Sequence, residues 1–360
     1  MTGAFSKVLF LAIAIAMSSG TLGCKKLLTK KDAGTTSSSS GGTASSSSGN
    51  TPQDDADEQL LVKLDAYIDC LNAMSGPIHQ SRSRYLSWVD AKTGPTGKER
   101  FVLGVLDLPK NSAQECSAGL EKARALPPAD PKLQAAGDDY AKAVMNLDQL
   151  IDDAFAYYDN KNFKDDKFAK GKLLHPQLMA AFSAFSKADT GLHSTVDGIT
   201  KPLSQRTLGR IEREDGKKFR WHRKNTLIAA RELIEAGDPV GDDDDIDFAL
   251  FSAAFNEFDK AINDLEAYGT LHKKDLDLQS NPAWPLAGSH YDSFVRSVND
   301  FRKKAREWNR CLRDAPAAAK NKTTNKIDPL KMPPCPEGRQ RDVVAKYNEF
   351  IRTSNSNQFP

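Results

Sequence analysis

Apolar residues recur along this chain by threes and fours. Between 60 and 78 they fall at Leu60, Leu64, Tyr67, Leu71, Met74 and Ile78, which lays one apolar stripe along a helix. Gly76-Pro77 interrupts that stripe. A proline removes a backbone donor and crowds the preceding turn, so a kink or break is expected there. The stripe resumes at Tyr85 and Trp88.

The same spacing returns at Tyr140, Val144, Leu147, Ile151, Ala154 and Tyr158, and again at Phe248, Phe251, Phe255, Phe258, Ile262 and Leu265. Its clearest instance is Tyr291, Phe294, Val298, Phe301, Ala305, Trp308 and Leu312. Shorter helices are expected near 112–125, 171–188, 190–213, 219–236 and 340–352. Strand alternation is nearly absent. "RFVLGVLDL" (100–108) is the one β-like run, and it reads as an extended or short helical connection. Asp130-Pro131 and the run Asp242–Asp245 look like helix N-termini, where the helix dipole favours negative charge. Gly94-Pro95, Asp215-Gly216 and Gly237-Asp238-Pro239 look like turns. The fold class that follows is all-α, a bundle of long antiparallel helices.

The first residues break the pattern. One positive charge (Lys7), a wholly apolar run from Val8 to Met17 and a small-residue exit predict a secretory signal peptide over 1–23. The run is shorter than the ~20 apolar residues that span a bilayer. "TLGC" (21–24) is similar to the lipobox of bacterial lipoproteins, in which the cysteine is acylated and cleavage falls just before it. Gly23 fits that pattern, whereas Thr21 stands where leucine is usual. Cys24 is therefore expected to carry a lipid that holds the protein on a membrane. The alternative is an ordinary signal peptide cut nearby. Lys25, rather than an aspartate, follows the cysteine, which predicts the outer membrane with the body facing the periplasm. Residues 24–55 are Lys-rich and then Ser/Gly-rich ("TTSSSSGGTASSSSGN"), a composition that buries no core and predicts a disordered tether.

The helical body is expected over 56–353, long enough for one large domain or two small ones. Composition narrows its chemistry. Lysines and arginines number 50 against 48 acidic residues, so there is no basic excess for phosphate neutralisation, and with export this argues against nucleic acid. Four cysteines lie in the body: Cys70, Cys116, Cys311 and Cys335. In an exported chain they read as a disulfide framework with three possible pairings. Cys70–Cys116 and Cys311–Cys335 are expected because short loops close most readily. The second pair would staple back the long irregular excursion 315–338.

Motifs with chemistry are scarce. "GPTGKER" (94–100) is no P-loop, because Lys92 stands where the earlier glycine belongs and Glu99 follows Lys98. There is no H-E-x-x-H, G-x-S-x-G or EF-hand spacing. Six histidines are scattered (His79, His175, His193, His222, His272 and His290), and only folding can bring any of them together as metal ligands. Trp88 and Trp308 lie on seams and read as core, while Trp284, between two prolines, reads as an exposed aromatic. No catalytic residue, metal or cofactor is assigned. The segment "YYDNKNFKDDKFAKGKLLHP" (157–176) stands apart, with aromatics interleaved with five lysines and three aspartates between two helices. Its plain reading is a connection whose aromatics plug the bundle end. Its sharper reading is a ligand or partner end built from Tyr158, Phe163, Lys164, Asp165, Asp166, Phe168, Lys170 and His175.

That segment (158–175), together with "YIDCLN" (67–72), "TGPTGKER" (93–100) and "RIEREDGKKFRWH" (210–222), resembles the YiiG-like family of bacterial lipoproteins, a domain-of-unknown-function family. The likeness covers roughly 57–350, with the landmarks in order. The resemblance implies an envelope lipoprotein with a helical body and implies no activity. The expected function is a membrane-tethered, non-enzymatic helical module that binds another envelope component, such as a protein. The alternatives are a periplasmic small-ligand or metal-binding module and a cell-wall hydrolase whose carboxylates meet only on folding.

Overall fold

The computed structural model describes residues 51–237, 245–273, 276, 288–321, 324, 326–335 and 339–356. The expected signal peptide, Cys24, most of the tether, Asp242 to Asp244 and Trp284 lie outside the described residues. Eight α-helices are described: α1 (Pro52–Leu86), α2 (Ser112–Arg124), α3 (Pro131–Asp159), α4 (Ala169–Asp215), α5 (Phe219–Ala236), α6 (Phe248–Leu271), α7 (Gly288–Arg313) and α8 (Gln340–Ser356). Among the described residues there is no extended strand, only isolated bridges, and no helix long and apolar enough to cross a membrane.

Local chemistry sets the ends. Thr51 Oγ1 accepts from the Asp54 amide while Asp54 accepts from the Thr51 amide, a capping box with Pro52 in the first turn. Asp130 caps α3 through the Leu133 amide, with Pro131 next. Gly216, at φ +75°, ends α4 in a conformation that strains a side-chain-bearing residue. The aspartate run was expected to open a helix. Instead Asp245 is buried and Asp247 caps α6 through the Leu250 amide.

Two expected breaks are absent. α1 runs through Gly76-Pro77, and Met74, Ser75, Gly76 and Ile78 are all buried around the proline, so packing on both sides outweighs the lost hydrogen bond. The expected helices 171–188 and 190–213 are one, α4, 47 residues long and ~70 Å at 1.5 Å per residue. It also accommodates Pro176 and Pro202.

The helices build two hydrophobic cores. α1 packs on α2 and α4, and α3 on α2 and α4, which closes a four-helix bundle around Tyr67, Tyr140, Phe182 and Phe185. α5, α6, α7 and α8 close a second around Phe258, Phe294, Phe301 and Phe350. Both expected cysteine pairs are bonded, Cys70 to Cys116 and Cys311 to Cys335. The run 101–109 is neither helix nor strand and is held to α1 and Trp88 just past it through side chains: Ser81 Oγ donates to the Leu106 carbonyl at 2.8 Å and Trp88 Nε1 to the Gly104 carbonyl at 2.9 Å. Trp308 is buried, and Trp88, just past the end of α1, is half-buried against the first core. α4 extends beyond the first core and packs on α5. That overhang creates a cleft between the two cores.

Candidate functional site

The aromatic segment closes one end of the first bundle. Tyr158, Phe168 and His175 are buried, Phe163 and Asp166 half-buried, and Lys164, Asp165 and Lys170 face solvent. Trp88 meets Tyr158 edge-on at 5.2 Å, and Phe163 lies 4.9 Å from Phe168. Asp166 accepts from the Tyr157 hydroxyl (2.7 Å) and from the Lys170 amide, which holds its carboxyl below the usual range, the amide bond being the larger cause. His175 Nε2 lies 3.2 Å from the Ala91 carbonyl, which can only accept, so that nitrogen carries the proton and Nδ1 accepts from the Tyr85 hydroxyl at 3.0 Å. The loop 93–100 sits on the same end. A Cβ on Gly94 would lie 2.8 Å from the His175 ring, and Gly94 has φ +70°. Two of the sequence landmarks thus meet here and fill the space between them.

A second cluster lies inside the first core. Ser75 Oγ donates to Asp189 Oδ1 and lies 2.9 Å from the Tyr140 hydroxyl. His79 Nε2 lies 3.2 Å from Asp189 Oδ2, and His193 Nε2 lies 3.5 Å from Oδ1. The serine meets the carboxylate rather than an imidazole, so the cluster lacks the Ser–His contact of a serine-hydrolase triad. Burial pushes the Tyr140 hydroxyl's pKa up, with the Asp189 charge adding to it. Sequence spacing carried a signal for this cluster. Phe182, Phe185, Asp189, Leu192 and Val196 follow the helical stripe of α4, so a carboxylate occupies a core position.

The third place is the cleft. It is a shallow groove, partly open to solvent, between the overhang of α4 and the faces of α5 and α8, with Leu61 of α1 at its edge. Its charges are mostly matched. Arg231 pairs with Asp197 at 2.5 Å and with Glu235 at 2.8 Å, and Lys201 reaches Glu235 at 2.6 Å. The Asp197 and Lys201 pairs cross from α4 to α5, and the Arg231–Glu235 pair lies within α5. Lys224 is different: among the described residues no carboxylate pairs with it and no hydrogen bond reaches its ammonium. Burial, with Arg223 and Arg231 adding repulsion, pulls its pKa down to about 8. Arg223 donates to the carbonyl and hydroxyl of Ser354 on α8, and burial brings its pKa down to about 10. Among the described residues the Ser204 hydroxyl, which also lines the cleft, has no hydrogen-bond partner, whereas those of Thr200 and Thr207 bond back to their own helix.

None of the residues singled out from the sequence lies in this cleft. Its signal was faint: Lys224, Leu227, Ile228 and Arg231 share one face of α5, with cations one turn either side of two apolar residues. Among the described residues no group of three or more His, Cys, Asp or Glu side chains is placed to hold a metal ion.

Comparison with known proteins gives two matches. The profile of the family described as "Protein of unknown function (DUF3829)" matches residues 58–356. The Escherichia coli (strain K12) protein described as "Uncharacterized protein YiiG" is 28% identical over 285 residues, covering 70% of this chain and 80% of that protein. No solved structure matches.

Proposed function

Because the chain belongs to the DUF3829 family, whose description assigns no activity, we propose its role from its own parts: a helical binding module, held at the cell envelope through lipid on Cys24, that takes its ligand in the cleft between its two cores. The observation that carries the binding reading is the unneutralised ammonium of Lys224 in a concave, partly apolar site. A half-buried cation without a counter-ion costs some folding free energy, and a ligand that supplies the charge recovers it. The envelope reading is supported by the apolar segment that ends on Cys24 and by the fifth cysteine's exclusion from the two disulfides. One acyl chain binds a membrane marginally and two or more hold stably.

Two experiments test this function. Cys24→Ala should move the protein from the membrane fraction to the soluble one; retention on the membrane contradicts the anchor. Native mass spectrometry of protein isolated from its own cells should show a bound species that Ser204→Phe, which fills the cleft, removes. A parent protein with nothing bound, or a species that survives the substitution, contradicts the cleft as the site.

A further inference from the structure

We infer that the aromatic end of the first bundle is a membrane-contact face, whose exposed lysines meet anionic phospholipid headgroups while Phe101, Leu103 and Leu173 enter the acyl boundary.

Charge selects an anionic surface. Segments 84–104 and 159–173, which build this end, carry nine lysines and arginines against five carboxylates, where the whole chain carries 50 against 48. All nine cations are exposed, and among the described residues none of them forms an ion pair. Elsewhere cations are commonly paired, as Arg206 is with Asp57 and Arg302 with Asp259. Three of the five carboxylates bond to their own loops instead. Asp90 accepts from the amides of Lys92 and Thr93, Glu99 from the Gly97 amide and the Thr96 hydroxyl, and Asp166 from the Tyr157 hydroxyl and the Lys170 amide. A second copy of this end would be repelled by its own charge.

The apolar residues select a bilayer. Phe101 is 62% exposed and Leu173 69%, and Leu103 is exposed too. All three belong to this end: Arg84 Nε donates to the Leu103 carbonyl, Gly104 lies against Tyr158, and Gly171, two residues before Leu173, lies against Tyr157 and Pro95. Cations beside exposed phenylalanine and leucine are the composition of a face that lies in the headgroup boundary. Seven of the nine cations are lysines, compact charges that suit mobile headgroups, whereas fixed carboxylates on a protein favour the planar fork of arginine. The rings of Tyr158, Phe163 and Phe168 fill the interior of this end and leave the charges outside.

An anchor on Cys24 can share that bilayer. α1 is 35 residues long, ~52 Å, and separates Thr51 from this end. The chain from Cys24 to Thr51 reaches up to about 90 Å when extended.

The test uses the chain from residue 24 on, the form that the expected cleavage leaves, carrying Cys24→Ala so that no acyl chain contributes. It is sedimented with vesicles of phosphatidylcholine alone, or with about one-third phosphatidylglycerol added. Binding to the anionic vesicles should be at least about tenfold tighter and should fall as salt is raised. Lys164→Gln with Lys172→Gln should weaken it about tenfold or more, and Phe101→Ser about fivefold. Lys260→Gln with Lys303→Gln, exposed lysines of the second bundle, should leave it unchanged. All variants should keep the parent's far-ultraviolet circular dichroism, so a loss of binding is read on folded protein. Equal binding to the two vesicles overturns the anionic surface. Equal losses in the two lysine pairs, or none at Lys164 and Lys172, overturn the placement at this end. Full binding by Phe101→Ser overturns the insertion. No vesicle binding, with an acidic protein crosslinked to Lys164 and Lys172 in cells, gives the face to a protein partner and overturns the proposal.

Discussion

Ser75 Oγ donates to Asp189 Oδ1 at 2.5 Å although 114 residues separate them in the chain. The bond joins α1 to α4 inside the first core, and Tyr140 of α3 and His79 of α1 complete the cluster. Asp189 is the shared acceptor. Asp189→Ala leaves several buried polar groups without it and should cost about 2–4 kcal/mol. Urea unfolding measures this; a loss below about 0.5 kcal/mol, the size of an ordinary surface substitution, contradicts the network's role.

Lys224 predicts a stability gain from removing a charge. Burial pulls the folded-state pKa down to about 8, whereas the ordinary lysine value of about 10.5 applies in the unfolded chain. Between those values the unfolded state binds more protons, so stability rises with pH across that window. Below pH 8 both states are charged and the full penalty applies. Lys224→Met should therefore be more stable than the parent at pH 7, by about 1–2 kcal/mol. The difference should shrink as pH rises from 8 towards 10.5. A less stable variant at pH 7 contradicts this.

Asp65 gives the opposite slope. Burial, with Asp69 adding repulsion, pushes its pKa up to about 6 from 3.8. Between those values the folded state binds more protons, so its contribution to stability is lost as pH rises from 3.8 through 6. Asp65→Asn should flatten that part of the pH profile and stabilise the protein at pH 7 by about 1 kcal/mol after solvent screening. Thermal melts at pH 4, 5, 6 and 7 read it, and parallel profiles for parent and variant sink the idea.

The disulfides close loops of 46 and 24 residues. On chain-entropy grounds each should contribute about 3–4 kcal/mol, the longer loop slightly more. Replacing Cys70 and Cys116 together by serine should lower stability by about that amount. Non-reducing mass mapping that finds Cys70 free in the parent contradicts the pairing.

The helices were legible because their stripes are long and regular: Tyr140 to Tyr158 and Tyr291 to Leu312 read as helices and are helices. Breaks were less legible. Pro77 reads as an interruption in the sequence, but Met74 and Ile78 are buried on either side of it, and that packing is tertiary. Asp189 was visible as a carboxylate at a stripe position, whereas its partners Ser75 and Tyr140 come from other helices. The cleft was hardest to read. Lys224 belongs to a face of α5 that looks ordinarily amphipathic, and it is the overhang of α4 beside that face that makes the cleft. Aromatic enrichment drew attention to 157–176 instead, where the aromatic rings pack on one another.

The central claim is that ligand enters between the two cores. Methyl-resolved NMR of the Cys24→Ala chain, titrated with the species released from protein isolated from its own cells, tests it most directly. Ile228 and Ile351, which line the cleft, should shift with a common saturation curve, while Leu147 and Ile151 in the first core should stay still. Saturable shifts that bypass Ile228 and Ile351, or no shift at all, would contradict it.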